Sequence, residues 1–220
     1  MIKKLLDKIL NLLLPQKCIG CGKNEKIICE ECLDLASKNE ENIGIDNFAV
    51  FSYKNKAVKD AISLLKYKKA FSVSKTLGKY LYEAVLEEIS QVKSMHQNLD
   101  DEKIIIIPVP LHQNRLKNRG YNQSELLAKE IIENNKEDFT LNIEVLKRIK
   151  ETESQVSKMS RENRLNNLKG AFSVVKPEEV KNKIILLIDD VITTGSTVKE
   201  CRETLIKAGA KKVLAIALAH

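Results

Sequence analysis

The 220-residue sequence lacks an apolar run long enough to span a membrane, and it contains no internal repeat and no low-complexity tract. A membrane-spanning helix requires roughly 20 mostly apolar residues, so we expect no transmembrane segment. No single block of charge is present either, because the 37 basic and 30 acidic residues are scattered along the chain. The resulting formal charge of +7 favours anionic ligands, either phosphates or nucleic acid. The hydrophobic fraction of 43% supports one good-sized domain with a small appendage.

The strongest motif is an apolar strand pattern that ends in two carboxylates and runs into a hydroxyl-rich turn. Residues 184–198 read IILLIDDVITTGSTV. The apolar start predicts a buried parallel strand, so Asp189 and Asp190 fall at its carboxyl end, where ligands bind in open α/β sheets. Gly195 permits close backbone approach, and amides at the start of the following helix can cradle an anion. The segment therefore predicts a site for one phosphate, with an acidic pair beside it for hydroxyl groups or a metal.

The same turn has a simpler interpretation, as the cap of a helix that follows an ordinary core strand. Ser196 or Thr197 would then be the N-cap residue. This interpretation explains one hydroxyl group, but it leaves two adjacent aspartates without a purpose at a place where unpaired carboxylates are costly. We therefore favour ligand binding by the whole turn. Its candidate residues are Thr193, Thr194, Gly195, Ser196 and Thr197.

Four of the five cysteines form two C-x-x-C pairs. They are Cys18, Cys21, Cys29 and Cys32. Four thiolates at this spacing can hold zinc tetrahedrally, and they leave no open position for catalysis. A redox dithiol would need one pair, and metal-bound thiolates fit a reducing cytoplasm better than disulfides do. We therefore predict a structural zinc ribbon and a cytoplasmic protein, while Cys201 is expected to be a small buried residue.

An amphipathic pattern precedes the cysteines. Apolar positions recur at helical spacing within residues 1–14, and polar residues interrupt the run, which argues against a signal peptide. We expect this helix to pack against the rest of the protein; docking to a membrane surface or to a partner is the alternative. A polar stretch after the cysteines resembles a linker. The chain is accordingly divided into residues 1–43, with the helix and zinc ribbon, and residues 44–220, an α/β domain.

Alternating strand and helix patterns in the larger domain predict a mostly parallel sheet flanked by helices. Besides the motif strand, strands are expected at residues 48–53, 104–110, 141–146, 170–174 and 213–218, and helices at residues 58–67, 76–89 and 124–134, with a last helix ending near residue 208. The segment 170–174 is expected to return to the sheet. Three basic residues, Arg115, Lys117 and Arg119, follow the strand at 104–110; they are either functional or an ordinary surface charge run.

Several separated motifs together resemble the ComF family of bacterial proteins, which is named for competence for DNA uptake. These motifs are the two C-x-x-C pairs, P-V-P-L with a downstream R-G-Y-N-Q, the run T-E-S-Q…R-E-N-R-L-N-N-L-K-G-A-F, and D-D-V-I-T-T-G-S-T. They cover nearly the whole chain in the expected order. The resemblance implies a type I phosphoribosyltransferase domain behind a zinc ribbon.

The resemblance also implies an activity, the transfer of phosphoribosyl from phosphoribosyl diphosphate (PRPP) to a nitrogen acceptor. In such a site Asp189 and Asp190 would hold the ribose hydroxyls, and residues 193–197 would bind the 5′-phosphate. One of the two acids could act as a base. Mg²⁺ would accompany PRPP and offset the charge that develops on the leaving diphosphate.

Two further segments take roles from the same resemblance. The segment with Arg115 and Arg119 corresponds to the diphosphate loop. Residues 149–169 correspond to a mobile loop that closes over the site and keeps water from the reactive sugar. Within that loop, Arg161 and Arg164 are the candidate catalytic residues.

A second hypothesis from a different class is an accessory protein that binds single-stranded DNA during transformation without catalysis. The net positive charge and the zinc ribbon favour this hypothesis. The partners of such a protein would include the DNA-uptake machinery. A regulator that senses PRPP without turning it over is a third hypothesis. Binding of PRPP or of single-stranded DNA discriminates among them, because fold alone does not.

Overall fold

The computed structural model describes residues 17–151 and 168–220, apart from residues 25, 37, 42, 67–69 and 96–102. The predicted helix at residues 1–14 lies outside the described residues. Arg161 and Arg164 also lie outside them, together with most of the segment that the sequence assigns to a closing loop. Within the part that is described, no helix is both long and apolar enough to cross a membrane.

Five parallel strands form the main sheet. The strands of the chain are β1 (Asn47–Phe51), β2 (Ile104–Pro108), β3 (Phe139–Leu141), β4 (Leu146–Arg148), β5 (Phe172–Val174), β6 (Ile184–Val191) and β7 (Lys212–Ala219). The main sheet has the order β1–β7–β6–β2–β3, and all its neighbouring pairs are parallel. The carboxyl ends of these strands therefore meet along one edge of the sheet, with β6 at its centre.

Six α-helices and one 3-10 helix, at Pro177–Glu179, accompany the strands in the described residues. The α-helices are α1 (Glu30–Asp34), α2 (Lys56–Leu64), α3 (Ala70–Met95), α4 (Gln113–Arg119), α5 (Gln123–Asn134) and α6 (Ser196–Lys207). The predicted helices in the α2, α5 and α6 regions are confirmed, and α3 begins six residues earlier and ends six residues later than expected. Helix α6 ends before Gly209, whose φ of 99° is readily adopted only by glycine.

Both faces of the sheet are buried, because side chains of β6 alternate between two hydrophobic cores. Ile184, Leu186 and Ile188 face the core that contains α2, α3 and α5. Ile185 and Leu187 face the core that contains α6 and the short strands β4 and β5. This arrangement explains why β6 reads as a continuous apolar run.

The cysteine-containing segment packs on the first of these cores. Ile27, Ile28 and Leu33 are buried there with the side chains of α3 and β1. Tyr80 of α3 extends the contact, since its hydroxyl donates to Asp34 Oδ1 at 2.6 Å and its ring lies 5.5 Å from that of Phe51. The division of the chain at residues 43 and 44 stays a prediction.

The prediction of one strand over residues 141–146 is wrong, because a turn divides this segment into the end of β3 and the start of β4. Asn142 makes the turn. Its Oδ1 accepts hydrogen bonds from the backbone amides of Glu144 and Val145, at 3.1 and 3.0 Å. Asparagine side chains commonly reverse the chain in this way.

The segment at residues 170–174 forms a strand, but it does not return to the main sheet. Strand β5 pairs with β4 in a separate antiparallel sheet, with Leu146 opposite Val174 and Arg148 opposite Phe172. The Arg148 guanidinium lies 5.5 Å from the centre of the Phe172 ring, a cross-strand cation–π contact that favours this pairing. The small sheet covers α6 on the second face of the main sheet.

Candidate functional site

The two acidic residues lie at the carboxyl end of the central strand β6. Asp189 Oδ1 accepts hydrogen bonds from Ser124 Oγ at 3.1 Å and from the Asp190 amide at 2.9 Å. Asp190 Oδ1 accepts from the Val191 amide at 2.9 Å. These bonds fix both carboxyl groups at the edge where the sheet's strands end, so the pair is held in place before any ligand arrives.

Burial and mutual repulsion make this pair electrostatically unfavourable. Burial raises the pKa of Asp189 well above its ordinary value, and the nearby Asp190 carboxylate raises the pKa further. The Asp190 amide and Ser124 hydroxyl offset only part of this effect. Two adjacent carboxylates of this kind are relieved by a divalent cation or by hydroxyl donors. The donor set therefore fits either Mg²⁺ or the hydroxyl groups of a sugar.

Ser124 reaches Asp189 because Asn122 fixes the start of helix α5. The Asn122 side chain accepts from the Ser124 amide at 3.1 Å and donates to the Val109 carbonyl at 2.9 Å. It thereby caps α5 and attaches it to the end of β2. All three polar residues from Asn122 to Ser124 are buried. A helix was predicted to begin at residue 124, but the bond from Ser124 to Asp189 is revealed only by the folded arrangement.

The hydroxyl-rich turn connects β6 to helix α6. Gly195 has φ 72° and ψ 0°, the left-handed conformation, and occupies the N-cap position of α6 without a side-chain cap. The interpretation of this turn as a cap made by Ser196 or Thr197 is therefore wrong. Thr194 Oγ1 and Ser196 Oγ lie 2.7 Å apart, and Ser196 is 5% exposed. Thr194 and Thr197 are half-buried, whereas Thr193 is exposed.

The basic segment after β2 forms helix α4. Arg115 and Arg119 are half-buried, and Lys117 is exposed. The helix ends at Gly120, whose φ is 84°. Asn114 of α4 donates to Glu151 Oε2 at 2.5 Å, which holds α4 against the chain that follows β4. Arg115 therefore lies on the side of the site where the small antiparallel sheet ends.

Arg148 is a further basic residue of the site, and it belongs to none of the predicted motifs. Burial lowers its pKa, the Arg115 charge lowers it further, and the Asp189 carboxylate acts in the opposite direction. The two guanidinium groups and Asp189 are thus within electrostatic reach of one another. Strand pairing of β4 with β5 places Arg148 there, so no short sequence motif could have found it.

His220 supports the backbone that follows the acidic pair. Its Nδ1 donates to the Ile192 carbonyl at 2.6 Å, and its Nε2 lies 3.5 Å from Glu41 Oε2. The Tyr53 amide donates to the His220 carbonyl at 2.7 Å, which joins the end of β1 to the end of β7. Burial raises the pKa of the Tyr53 phenol, and the Asp190 charge contributes. His220 and Tyr53 were also missed, because each reaches the site from a different strand.

Cys201 lies beneath the site and is fully buried, as predicted. Burial raises the pKa of its thiol well above the ordinary value, and the Asp189 charge adds to this effect. The thiol therefore stays protonated, which is the behaviour of a packed core residue.

The four paired cysteines converge into a second candidate site, away from the sheet edge. Their Sγ atoms all lie within 4.8 Å of one another. Cys18 Sγ is 3.6 Å from Cys29 Sγ and 3.7 Å from Cys32 Sγ, and Cys21 Sγ is 3.7 Å from Cys29 Sγ. A regular tetrahedron with Zn–S bonds of about 2.3 Å has S–S edges of about 3.8 Å. The cluster could hold a metal ion, and its dimensions fit zinc.

The local backbone supports this interpretation. The amides of Gly20 and Cys29 donate to Cys18 Sγ at 3.3 and 3.4 Å. Burial raises the pKa of the Cys18 thiol, but hydrogen bonds from backbone amides lower it more, to about 6. A β-carbon at Gly20 would lie 2.6 Å from Cys32 Sγ, so only glycine fits beside the cluster.

Comparison with known proteins relates this chain to one family. A family model described as a phosphoribosyl transferase domain matches residues 116–220. Competence protein F of Haemophilus influenzae is 32% identical over 204 residues, which are 92% of this chain and 84% of that protein. Competence protein ComFC of Streptococcus pneumoniae is 29% identical over 204 residues, 92% of this chain and 80% of that protein.

DNA utilization protein YhgH of Escherichia coli K12 is 28% identical over 199 residues, 89% of this chain and 80% of that protein. A crystal structure of a hypoxanthine-guanine phosphoribosyltransferase from Bacillus anthracis aligns with a TM-score of 0.40 at 16% identity, over 64% of this chain and 67% of that one. The family match, together with the parallel sheet flanked by helices, confirms the predicted phosphoribosyltransferase-like fold.

Proposed function

This chain belongs to the ComF family of competence proteins, and on that basis we propose that it binds PRPP with Mg²⁺ and transfers the phosphoribosyl group to a nitrogen acceptor. One observation carries the proposal. The acidic pair at the end of β6 is followed directly by a turn in which left-handed Gly195 opens helix α6. Carboxylates suit ribose hydroxyls, and the amides and hydroxyls at a helix start suit a phosphate.

In this proposal, each group of residues at the carboxyl end of the main sheet binds one part of PRPP. Asp189 and Asp190 accept hydrogen bonds from the ribose 2′- and 3′-hydroxyls. Residues 193–197 bind the 5′-phosphate through backbone amides and side-chain hydroxyls. Arg115 and Arg119 bind the diphosphate, as the ComF resemblance implies.

Mg²⁺ would be held by the diphosphate oxygens and by the acidic pair, whose oxygen ligands suit this hard cation. When bound, it neutralises part of the charge of the diphosphate. The raised pKa of Asp189 supports such a role, because a nearby cation would favour the ionised carboxylate that the protein alone disfavours.

The proposed reaction is a substitution at the anomeric carbon of the ribose. The bond from C1 to the diphosphate oxygen breaks, its electron pair leaves with diphosphate, and the acceptor nitrogen forms a new bond to C1. The nitrogen loses its proton to one carboxylate of the acidic pair or to water. Cationic side chains assist because negative charge develops on the departing diphosphate. Arg161 and Arg164 are proposed to supply further positive charge when the loop that carries them closes.

The relatives' names set the cellular context of this proposal. Competence protein F and the DNA utilization proteins are named for the uptake and use of DNA. We propose that this chain acts in the same context, in the cytoplasm, with partners among the DNA-uptake proteins. The cysteine cluster would bind a structural zinc ion, which requires the reduced thiols of that compartment.

Calorimetric titration with PRPP and Mg²⁺ tests the proposal. Wild-type protein is expected to bind, and the double variant Asp189→Asn, Asp190→Asn is expected to lose roughly a hundredfold or more in affinity, because two charge-assisted hydrogen bonds are weakened. Asparagine keeps the size of both side chains, so the fold is retained. A matched control, Asp60→Asn on helix α2, should bind like wild type. Equal affinity in the double variant would refute the assignment.

A non-catalytic protein that binds single-stranded DNA is the second candidate. A pair of aromatic rings near the start of α5 favours it: Phe71 is 68% exposed, and its ring centre lies 6.3 Å from that of Tyr121. Exposed aromatic rings near basic residues bind unpaired bases by stacking. In this function Phe71→Ala should weaken binding of a short single-stranded DNA, while PRPP should not bind.

A further inference from the structure

We propose that a groove beside strand β1 is the docking site for residues 1–14 of the same chain. This groove, called the β1 groove below, has a volume of about 500 Å³. Its wall and rim include Leu33, Phe48, Val50, Glu83, Glu87 and Glu88. The proposal goes beyond the proposed function, because nothing in it depends on binding of a sugar phosphate.

The floor of the β1 groove is apolar and lies at an open sheet edge. Strand β1 is the outermost strand on its side of the main sheet. Phe48 and Val50, two residues apart, are both only half-buried although they pack against the first core. A short segment covers part of the edge, where the Asn39 amide donates to the Val50 carbonyl at 3.1 Å. Natural sheets usually cover such edges more fully, so an additional element is expected here.

The rim of the β1 groove is acidic although the chain as a whole carries a formal charge of +7. Glu83 and Glu87 are exposed one turn apart on α3, and Glu88 is half-buried beside them. In the described part of the chain, none of these three carboxylates forms an ion pair. Burial raises the pKa of Glu88, and the Glu87 charge adds to the effect. Carboxylates that repel one another along a helix favour a cationic occupant.

A buried acceptor in the same groove points to an occupant with hydrogen-bond donors. Asn39 Oδ1 is buried and has no hydrogen-bond partner among the described residues, although Asn39 Nδ2 donates to the Glu41 carbonyl at 3.0 Å. An unsatisfied buried acceptor is destabilising, and few remain in folded proteins. Because Asn39 lines the groove, an occupant that carries a hydrogen-bond donor at this position would offer the acceptor a partner.

Residues 1–14 have the chemistry that this groove requires. Their apolar residues recur at helical spacing and form one face, while their basic residues are Lys3, Lys4 and Lys8. At roughly 100° per residue, Lys4 and Lys8 lie one turn apart along one border of that apolar face, the same spacing as Glu83 and Glu87 on α3. A helix that lays its apolar face on Phe48 and Val50 would therefore bring lysines to the acidic rim.

The start of the described chain lies beside the groove. Cys18 Sγ is 3.7 Å from Cys32 Sγ, and Cys32 directly precedes Leu33 and Asp34, which line the groove. Only residues 15–17 connect the amphipathic segment to Cys18, so a segment that enters the cysteine cluster is already close to the groove. Fourteen helical residues would span about 21 Å, which suffices to lie along α3.

Hydrogen–deuterium exchange on the full chain tests this docking. An isolated helix of this length is marginal in water, so slow exchange of the amides of residues 2–13 would report docking. We expect such protection in the wild type. Glu83→Lys together with Glu87→Lys should accelerate exchange of these amides roughly three- to tenfold, because attraction at the rim becomes repulsion. The control Glu137→Lys with Glu178→Lys makes the same change of charge at exposed positions outside the groove and should preserve protection.

A charge exchange completes the test. Adding Lys4→Glu and Lys8→Glu to the Glu83→Lys, Glu87→Lys variant should restore protection. Unprotected amides in the wild type, or protection that is indifferent to the rim charges, would overturn the proposal. Protection that rises with protein concentration would overturn it in favour of a second copy as the occupant. Near-ultraviolet circular dichroism of each variant verifies that the domain itself stays folded.

Discussion

The cysteine cluster differs in its assembly from the acidic edge, which is the carboxyl end of the main sheet where Asp189 and Asp190 lie. All four cysteines come from one stretch of 15 residues, from Cys18 to Cys32, and the turns of that stretch bring their sulfurs together. The acidic edge instead combines the ends of β6, β2 and β7 with the start of α5 and with β4. A locally assembled site can be predicted from spacing, whereas an edge assembled by the whole sheet is only partly contained in any one motif.

The two regions also differ in electrostatic balance before a ligand binds. In the cysteine cluster, backbone amides donate to Cys18 Sγ and lower the pKa of that one thiol, while hydrogen bonding with Cys29 raises the pKa of Cys32. The acidic edge holds the half-buried Asp189 against a second carboxylate, and desolvation and repulsion together destabilise its charged form. We infer that a metal ion would stabilise the fold at the first site. At the second site, the acidic pair destabilises the folded protein as long as no ligand is bound. The predictions below test this contrast.

The largest effect is expected from removing buried ligands of the cysteine cluster. The double variant Cys18→Ser, Cys29→Ser should release about one zinc per chain and lower the thermal stability strongly, since structural zinc contributes on the order of 10 kcal/mol in small metal-binding modules. Metal analysis and thermal unfolding measure both effects. Cys201→Ala, a buried cysteine outside the cluster, serves as the control and should retain the metal. Freshly purified wild-type protein without zinc would contradict this prediction.

At the acidic edge, substitution of Asp189 is expected to raise the thermal stability, not to lower it. Because the pKa of Asp189 in the folded protein is raised above its ordinary value of 3.8, the wild type binds a proton more tightly when folded and loses stability as the pH rises above that value. Asp189→Asn removes this loss, so the variant should melt above the wild type by a margin that grows from pH 4 upward. Thermal unfolding across this pH range measures the margin. A margin that is constant or shrinks with pH would show that the acidic pair is not strained.

Gly195 provides a smaller, local test of the same edge. Its left-handed φ of 72° disfavours any side chain, but no atom lies within 4 Å of the position that a β-carbon would occupy. Gly195→Ala should therefore cost about 1–2 kcal/mol through backbone strain alone. Chemical denaturation measures this cost. Gly22→Ala, at φ 76° with equally open space, should cost the same, and a much larger cost at Gly195 would indicate contacts beyond the strain.

His220 gives the smallest expected effect, because it acts on the edge through one hydrogen bond. His220→Ala removes the donor to the Ile192 carbonyl and should cost about 0.5–1.5 kcal/mol of stability. His220→Asn can keep a donor near the same position and should recover part of this cost. Denaturation of the two variants makes the comparison. Equal stability of both variants and the wild type would remove His220 from the support of the edge.

The sequence predicted the parts of the fold that depend on local pattern. Apolar runs located β2, β6 and β7, and glycine at residue 209 marked the end of α6. The turn at Asn142 was missed because its neighbours Leu141, Ile143, Val145 and Leu146 look like strand residues, and the side-chain bonds that bend the chain depend on a single asparagine. The partner of β5 was missed because strand pairing is a long-range property that residue type does not encode.

In the candidate site, too, only the residues that form a local sequence pattern were predictable. The residues of the motif at 189–197 follow one another, so their proximity follows from the strand and the helix that they join. Ser124, Arg148 and His220 are 65, 41 and 31 residues away from Asp189 along the chain. The fold of the sheet brings them close to the acidic pair. No composition or spacing rule distinguishes these residues from others of their type. Their placement required the sheet order.

A crystal structure of the protein with PRPP and Mg²⁺ tests the central claim most directly. We predict that the ribose hydroxyls contact Asp189 and Asp190, and that the 5′-phosphate lies at the start of α6 within hydrogen-bond distance of the amides of residues 194–197. PRPP bound elsewhere, or no PRPP at a concentration that saturates a phosphoribosyltransferase, would contradict the assignment of this edge as the sugar-phosphate site.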